Sequence, residues 1–148
     1  MEALFHNTVL WTTLFAALVA QVIKGLQEAL FQRKFNLRRL FETGGMPSSH
    51  SAAVASLATS MGLHHGWDSP HFTISTVVAI IVIYDATGIR RAAGEHAVIL
   101  NELLEELNHL LHDGFKEQNL KTLLGHTYPQ ALVGIIIGVV LSVVVYHL

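Results

Sequence analysis

Four long apolar segments constrain the fold of this chain more than any other feature. None of them contains a Lys, Arg, Asp or Glu residue, and they cover residues 8–23, 48–63, 72–84 and 131–146. A helix needs roughly 20 mostly apolar residues to cross a bilayer, and about 17 at the least. The first and last segments reach that length with their flanks, and the third reaches it if residues 85–89 are included. The chain therefore has four candidate membrane spans.

The composition favours a membrane protein over a soluble one. Only 14% of the residues are charged, against roughly a quarter in soluble domains, so we expect one membrane domain over residues 1–148. The net charge of −2 gives no indication of nucleic-acid binding, and the lack of cysteine excludes disulfides, thiolate metal sites and cysteine nucleophiles. The first segment has no basic residues before it and no clear cleavage site after it, which indicates a retained span rather than a signal peptide.

The second segment is short and only weakly apolar, and it is rich in Ala and Ser. Small residues let membrane helices approach each other closely, so we expect this segment to be a helix buried among the others. In the last segment Gly134, Gly138 and Ser142 follow each other at four-residue spacing. This spacing predicts a second close-packing face, and the alternative is chance spacing in a glycine-rich stretch.

Residues 94–112 predict an amphipathic helix between the third and fourth segments. Its leucines recur at steps of three and four residues, while most of its acidic residues fall on other faces. An acidic face suits anionic lipid poorly, so we expect this helix to pack against the protein or a second copy; a plainly solvated helix is the alternative. The fold prediction is an all-α membrane bundle with about four spans plus this helix.

The basic residues orient the chain in the membrane. With four spans threaded back and forth, all nine Lys and Arg residues fall on one side or in the adjoining helix turns. Positively charged loops stay in the cytoplasm. We therefore predict that both termini lie on the non-cytoplasmic side.

Three polar clusters fall at the predicted cytoplasmic ends of the spans, within residues 38–51, 85–96 and 125–130. In the first cluster a Gly-Gly-Met-Pro turn precedes two serines that can cap the following helix. A helix N-terminus with free N–H groups attracts anions, and a histidine stands in its first turn. The candidate site residues in the three clusters are Arg38, Arg39, Ser48, Ser49, His50, Asp85, Arg90, Arg91, Glu95, His126 and Gln130.

Together these residue types supply what phosphate chemistry needs. Arginine binds phosphate oxygens through two parallel hydrogen bonds. A neutral histidine can attack phosphorus, and a protonated histidine can donate its proton to a leaving oxygen. Polar groups within or at the ends of membrane spans are energetically costly and often functional. The convergence of the clusters predicts a site for a phosphate ester or a diphosphate.

The motifs resemble those of the phosphatidic acid phosphatase type 2 and vanadium haloperoxidase superfamily. The string PSSH at residues 47–50 resembles its PSGH signature, and His126, with Gln130 four positions on, resembles its closing motif. The strings GGMPSSHSA, DATGIRRAAGEHA and LLGHT resemble more closely a divergent branch found in bacteria and plastid-bearing organisms. The resemblance spans about residues 38–138. It implies a helical bundle in a bacterial plasma membrane or a plastid membrane that cleaves lipid phosphates or diphosphates without a metal or other cofactor.

The resemblance also implies roles for single residues. His126 resembles the nucleophile that forms a phosphohistidine, and His50 resembles the general acid that protonates the leaving group. Ser49 stands where the superfamily has a glycine whose N–H contacts phosphate. The remaining candidates for binding the phosphate-bearing substrate are Ser48, Arg38, Arg39, Arg90 and Arg91.

Two departures from the superfamily pattern keep a second function open. Gln130 replaces the acidic partner of the nucleophile, and Leu120 replaces an arginine. Asp85 or Glu95 could supply the missing carboxylate if the fold brings either one to His126, which would favour an enzyme. Carboxylates directed elsewhere would favour a non-catalytic module or assembly factor that binds phosphate or lipid headgroups. A small transporter or channel subunit is a third alternative. Members of the superfamily commonly have six spans, so a second copy could complete the bundle.

Overall fold

The computed structural model describes residues 2–32, 45–111, 120–122 and 124–148. Within these residues the chain is helical and contains no strand, which confirms the all-α prediction. A π-helical turn, Asp85–Ile89, joins the fourth and fifth helices. The α-helices in chain order are Glu2–Phe5 (α1), Thr8–Gln32 (α2), Ser49–His65 (α3), Pro70–Tyr84 (α4), Arg90–Leu111 (α5) and Tyr128–Tyr146 (α6).

Helix α3 lies at the centre of the bundle and packs against α2, α4 and α6. Its buried residues are small: Ser51, Ala52, Ala55, Ser56, Thr59, Ser60 and Gly62. Small side chains let three neighbours approach one helix closely, as the Ala- and Ser-rich sequence predicts. With 17 residues, α3 is about 25 Å long, which is slightly less than the hydrocarbon thickness of a bilayer.

The glycines of α6 form the closest contact with α3. A Cβ atom added at Gly134 would lie 2.3 Å from the carbonyl oxygen of Ser48, and one at Gly138 would lie 2.3 Å from that of Ala52. One turn further on, the Ser142 hydroxyl lies 2.8 Å from the Ser56 hydroxyl. The four-residue spacing of small residues in α6 is therefore a packing face, as predicted.

Helices α2, α4 and α6 surround α3 and turn apolar side chains outward. Among the described residues, three stretches are long and apolar enough to cross a membrane: Thr8–Leu30, Pro70–Asn108 and Tyr128–Tyr146. Their exposed residues include Leu18 and Leu26 of α2, Ile80 and Ile81 of α4, and Ile136 of α6. Such surfaces are stable against lipid and costly in water. The chain is a membrane protein with a helical bundle around one small-residue helix.

The third predicted span continues beyond its apolar residues without a break. The π-helical turn carries the helix from α4 into α5, so that Pro70–Asn108 is one continuous stretch of 39 residues. α5 covers residues 94–111 of the predicted amphipathic helix and begins four residues before its predicted start; the last predicted residue, 112, lies outside the described residues. Near its middle, the Asn101 side-chain amide bonds both the carbonyl oxygen and the N–H of Leu120, at 3.1 and 3.0 Å. These two hydrogen bonds hold α5 against the segment that leads into α6.

Candidate functional site

The turn before α3 is fastened to the start of α6. Ser48 is the N-cap of α3, and its hydroxyl accepts a hydrogen bond from the N–H of Ser51 at 3.2 Å. The N–H of Ser48 in turn donates to the carbonyl oxygen of Gln130 at 3.1 Å. Ser48 is fully buried. Its hydroxyl therefore serves the helix cap, as the sequence predicts, and the contact brings the first and third polar clusters together.

A second backbone contact fixes His126 against the π-helical turn. The N–H of His126 donates to the carbonyl oxygen of Ala86 at 2.8 Å. The preceding Gly125 has a φ of +79°, and a Cβ atom there would lie 2.5 Å from the N atom of Arg91. Only glycine accommodates both the backbone angle and this close approach. The second and third polar clusters meet at this point.

The rings of His50 and His126 lie close together at this end of the bundle. Their centroids are 6.3 Å apart and the ring planes are tilted by 56°. His50 stands in the first turn of α3 and is exposed, whereas His126 is 6% exposed. The two histidines that the sequence assigns to catalysis are thus neighbours, although they are separated by more than 70 positions in the chain.

A backbone carbonyl orients the His126 ring. The Nδ1 atom lies 3.2 Å from the carbonyl oxygen of Gly45. A carbonyl oxygen can only accept a hydrogen bond, so the neutral ring carries its proton on Nδ1 and keeps the lone pair on Nε2. Nε2 is therefore the nitrogen that is able to attack an electrophile.

Burial lowers the pKa of His126, because the protonated ring would lose its solvation. The Gln130 side chain and the Gly45 carbonyl oppose this effect by hydrogen bonding, while the positive charges of His50 and Lys24 add to it. The net shift is downward from the ordinary value of 6.5. His126 is therefore neutral at pH 7, the form in which its lone pair is available.

The two histidines line a small cleft that is open to solvent. The empty space between its walls measures about 270 Å³, including the part open to solvent. The lining residues come from α3, the end of α4, the π-helical turn, the start of α5 and the loop before α6: His50, Val82, Asp85, Ala86, Arg90, Gly125 and His126. Four of the predicted site residues meet here, namely His50, Asp85, Arg90 and His126.

The π-helical turn places a carboxylate and an arginine on the same wall of the cleft. Nε of Arg90 lies 2.6 Å from Oδ2 of Asp85, five positions earlier in the chain. Five-residue neighbours align in a π-helix, in contrast to the three- and four-residue neighbours of an α-helix. The pair uses one of the five N–H donors of the guanidinium group. The other donors of Arg90 can serve an anion in the cleft.

Arg91 and Glu95 lie outside the residues that line the cleft. Nε of Arg91 bonds Oε1 of Glu95 at 3.1 Å, and both side chains are exposed on α5. This is an ordinary surface pair four residues apart, which contributes little to stability. Neither predicted carboxylate bonds His126, because Asp85 pairs with Arg90 and Glu95 pairs with Arg91.

Gln130 has a structural role at the start of α6. Its Oε1 accepts a hydrogen bond from the N–H of Thr127 at 3.0 Å, and the two residues form a capping box. A glutamate would serve in this motif equally well. The glutamine therefore removes the charge of the expected acidic residue while it preserves the helix start.

Two predicted residues, Arg38 and Arg39, lie outside the described residues. Ser49 is the half-buried first residue of α3, where helix N–H groups have no partner within the helix. Among the described residues no three His, Asp or Glu side chains form a group that could hold a metal ion.

The sequence interpretation missed Lys24 as a member of this site. Its side chain runs along the turn before α3, since a Cβ atom at Gly45 would lie 2.9 Å from Cε of Lys24. The charge of Lys24 also acts on His126. The available signal was a lysine directly after the first apolar segment, in the flank that lengthens this segment to a full span, where a charge is costly and often functional.

Comparison with known proteins agrees with the motifs and the fold. The family described as "Divergent PAP2 family" matches residues 5–141. The chain is 39% identical over 153 positions to "Uncharacterized membrane protein YuiD" of Bacillus subtilis (strain 168), and the match covers 97% of each chain. No solved structure matches this chain.

Proposed function

We propose, because the chain belongs to the divergent PAP2 family, that it hydrolyses a lipid phosphate or lipid diphosphate at the cleft between His50 and His126. The observation that carries this proposal is the geometry of the two rings, 6.3 Å apart at a cleft that Arg90 also lines. Transfer of a phosphoryl group needs reacting atoms about 3–3.5 Å from the phosphorus. The ring spacing suits one phosphorus atom between a nucleophile and an acid.

Each residue of the cleft has its own role in the proposed reaction. Arg90 and Lys24 attract the phosphate anion. Nε2 of His126 attacks phosphorus, a P–N bond forms, and the P–O bond to the leaving group breaks as His50 donates its proton to that oxygen. The now neutral His50 then takes a proton from water as the water oxygen attacks the phosphohistidine, the P–N bond breaks, and inorganic phosphate leaves. The Gly45 carbonyl keeps Nε2 unprotonated at the start by holding the proton on Nδ1.

The size and position of the cleft favour a substrate that remains in the membrane. The empty space of about 270 Å³ includes open solvent, so the cleft itself is far smaller than the pockets of about 300 Å³ or more that enclose a whole small molecule. We therefore expect only the phosphate group to enter the cleft, with the rest of the substrate outside. The cleft lies at the end of the bundle with the basic residues, which we place on the cytoplasmic side. A lipid headgroup meets these requirements.

A second candidate function is the binding of a phosphate group or lipid headgroup without turnover. It is favoured by the pairing of Asp85 with Arg90 and of Glu95 with Arg91, so that neither of these carboxylates serves His126. In Ser-His-Asp enzymes, replacing the carboxylate by an amide lowers kcat by about 10⁴-fold, largely through the wrong tautomer. Here the Gly45 carbonyl selects the tautomer, so the expected loss is smaller.

The test is phosphate release by the detergent-solubilised protein from phosphatidic acid and an isoprenyl diphosphate. The wild type is measured beside His126→Asn and Gln130→Glu. His71→Ala serves as the matched control, because His71 is an exposed histidine that stacks on His65 away from the cleft.

We expect release by the wild type and by the control, no release by His126→Asn, and equal or faster release by Gln130→Glu. The glutamate preserves the capping box and adds a charge that stabilises the protonated ring. Release by Gln130→Glu alone would indicate that the wild-type cleft binds phosphate but no longer hydrolyses the substrate. If no variant released phosphate, the binding function would replace the enzymatic one.

A further inference from the structure

Four leucines form an uncovered stripe along α5. Leu100, Leu103, Leu107 and Leu110, here called the leucine seam, follow each other at steps of three, four and three residues. Their side chains are 44–76% exposed. Within the described part of the chain, the main contacts of α5 are with the π-helical turn and with Leu120, Thr122 and Leu124. The described residues therefore leave the seam uncovered.

The seam lies beyond the depth of the membrane. The continuous helix Pro70–Asn108 has 39 residues and is about 58 Å long at 1.5 Å per residue. A bilayer with its headgroups is about 40–45 Å thick. When α4 spans the hydrocarbon, the second half of α5 extends into water. Leucines exposed there are unfavourable unless another surface covers them.

The charges of α5 argue against the lipid surface as that cover. Helices that lie on membranes carry Lys and Arg on their polar face. Residues 92–111 of α5 contain no Lys or Arg and four glutamates: Glu95, Glu102, Glu105 and Glu106. Cytoplasmic lipid surfaces are negative and repel such a face. A helix lying flat on the bilayer would hold these four charges close to the headgroups.

We propose that the leucine seam is the contact between two copies of this chain, which pair their α5 helices in parallel as a short coiled coil. The three–four–three spacing is that of the a and d positions of a heptad repeat, and no charge occupies those positions. Two copies in one bilayer share one orientation, so their α5 helices emerge side by side and parallel. This proposal does not depend on the function of the cleft.

Cysteine cross-linking in native membranes tests the pairing, because the chain contains no cysteine. Single variants Leu103→Cys and Leu107→Cys lie in the seam. The matched controls Glu102→Cys and Glu105→Cys lie on the polar face of the same turns. A disulfide requires the two Cα atoms to lie within about 7 Å of each other. All four side chains are exposed, so the substitutions leave the fold intact.

We expect oxidation to yield disulfide-linked dimers at the seam positions, with a yield about tenfold or more above that of the controls. The doubly substituted Leu103→Glu, Leu107→Glu protein should then have the mass of one copy in detergent, where the wild type has the mass of two. Equal cross-linking on both faces, or none at the seam, would overturn the proposal. A fluorophore can also be attached at Leu103→Cys. Quenching of its fluorescence by brominated lipids would place the seam in the membrane and would also overturn the proposal.

Discussion

At the scale of single residues, the site depends on how His126 is held. The ring is buried, its Nδ1 proton is bonded to a backbone carbonyl, and the nearby positive charges come from His50 and Lys24. In this arrangement a neutral acceptor selects the tautomer that a carboxylate would otherwise select. The positively charged ring that forms when Nε2 bonds phosphorus gains no carboxylate partner from Asp85 or Glu95, which pair with arginines. We therefore expect correct positioning of the nucleophile with weak stabilisation of charge.

This arrangement predicts a particular pH dependence. Because burial lowers the pKa of His126, the neutral ring persists as the pH falls below 6.5, and protonation occurs only further down. A titration of the histidine ring nitrogens by NMR between about pH 4 and pH 8 should show the His126 resonance titrating below the ordinary value of 6.5.

The variant Gln130→Glu should move the same titration upward, since a carboxylate beside the ring favours the protonated form. Its control is Glu95→Gln, which removes a charge from the exposed face of α5 and should leave the His126 titration in place. If the pKa of His126 lay above 6.5 in the wild type, the description of the ring as buried and neutral would be wrong.

At the scale of helices, the contact between α3 and α6 positions the site. Ser48 bonds the first turn of α6, and the glycines of α6 pack against the backbone of α3 along the following turns. A change of spacing between these helices would move His50 relative to His126. The fold and the cleft are therefore coupled through the small-residue contact.

Gly138→Ala tests this coupling directly. Its Cβ atom would lie 2.3 Å from the carbonyl oxygen of Ala52, which is backbone and cannot rotate away. We expect a loss of about 1–3 kcal/mol in unfolding free energy, as for other overpacked interiors, seen as a lower midpoint of thermal unfolding in detergent. Gly88→Ala is the control, since nothing lies within 4 Å of its Cβ position. Equal midpoints for the two variants would contradict the close contact.

At the scale of the whole molecule, the sequence predicts the helices and the convergence of the three polar clusters. It predicts the individual contacts within the site less well. Apolar length and small-residue spacing predict the spans, the buried α3 and the α6 face, because burial depends on residue size and polarity. The partner of His126 could not be predicted, since the Gly45 carbonyl is a backbone atom common to every residue. For the π-helical turn, the sequence offers one indication, which is the five-residue spacing of Asp85 and Arg90.

The orientation of the molecule remains a prediction that single cysteines can test. Asp68→Cys lies in the turn between α3 and α4, and Lys121→Cys lies in the segment before α6; both positions are exposed. Basic residues stay in the cytoplasm, so a membrane-impermeant maleimide should label the first variant in intact cells and the second only after permeabilisation. The opposite labelling pattern would place the cleft on the outer side.

The central claim is that His126 carries the phosphoryl group, and trapping that intermediate tests it most directly. The purified protein is mixed with phosphatidic acid or an isoprenyl diphosphate that is radiolabelled in the transferred phosphate, and is quenched in base. The account predicts an acid-labile, base-stable label on the peptide that contains His126, retained in His71→Ala and absent from His126→Asn. A wild-type protein that releases phosphate with no label on that peptide, or that binds phosphate without releasing it, would contradict the account.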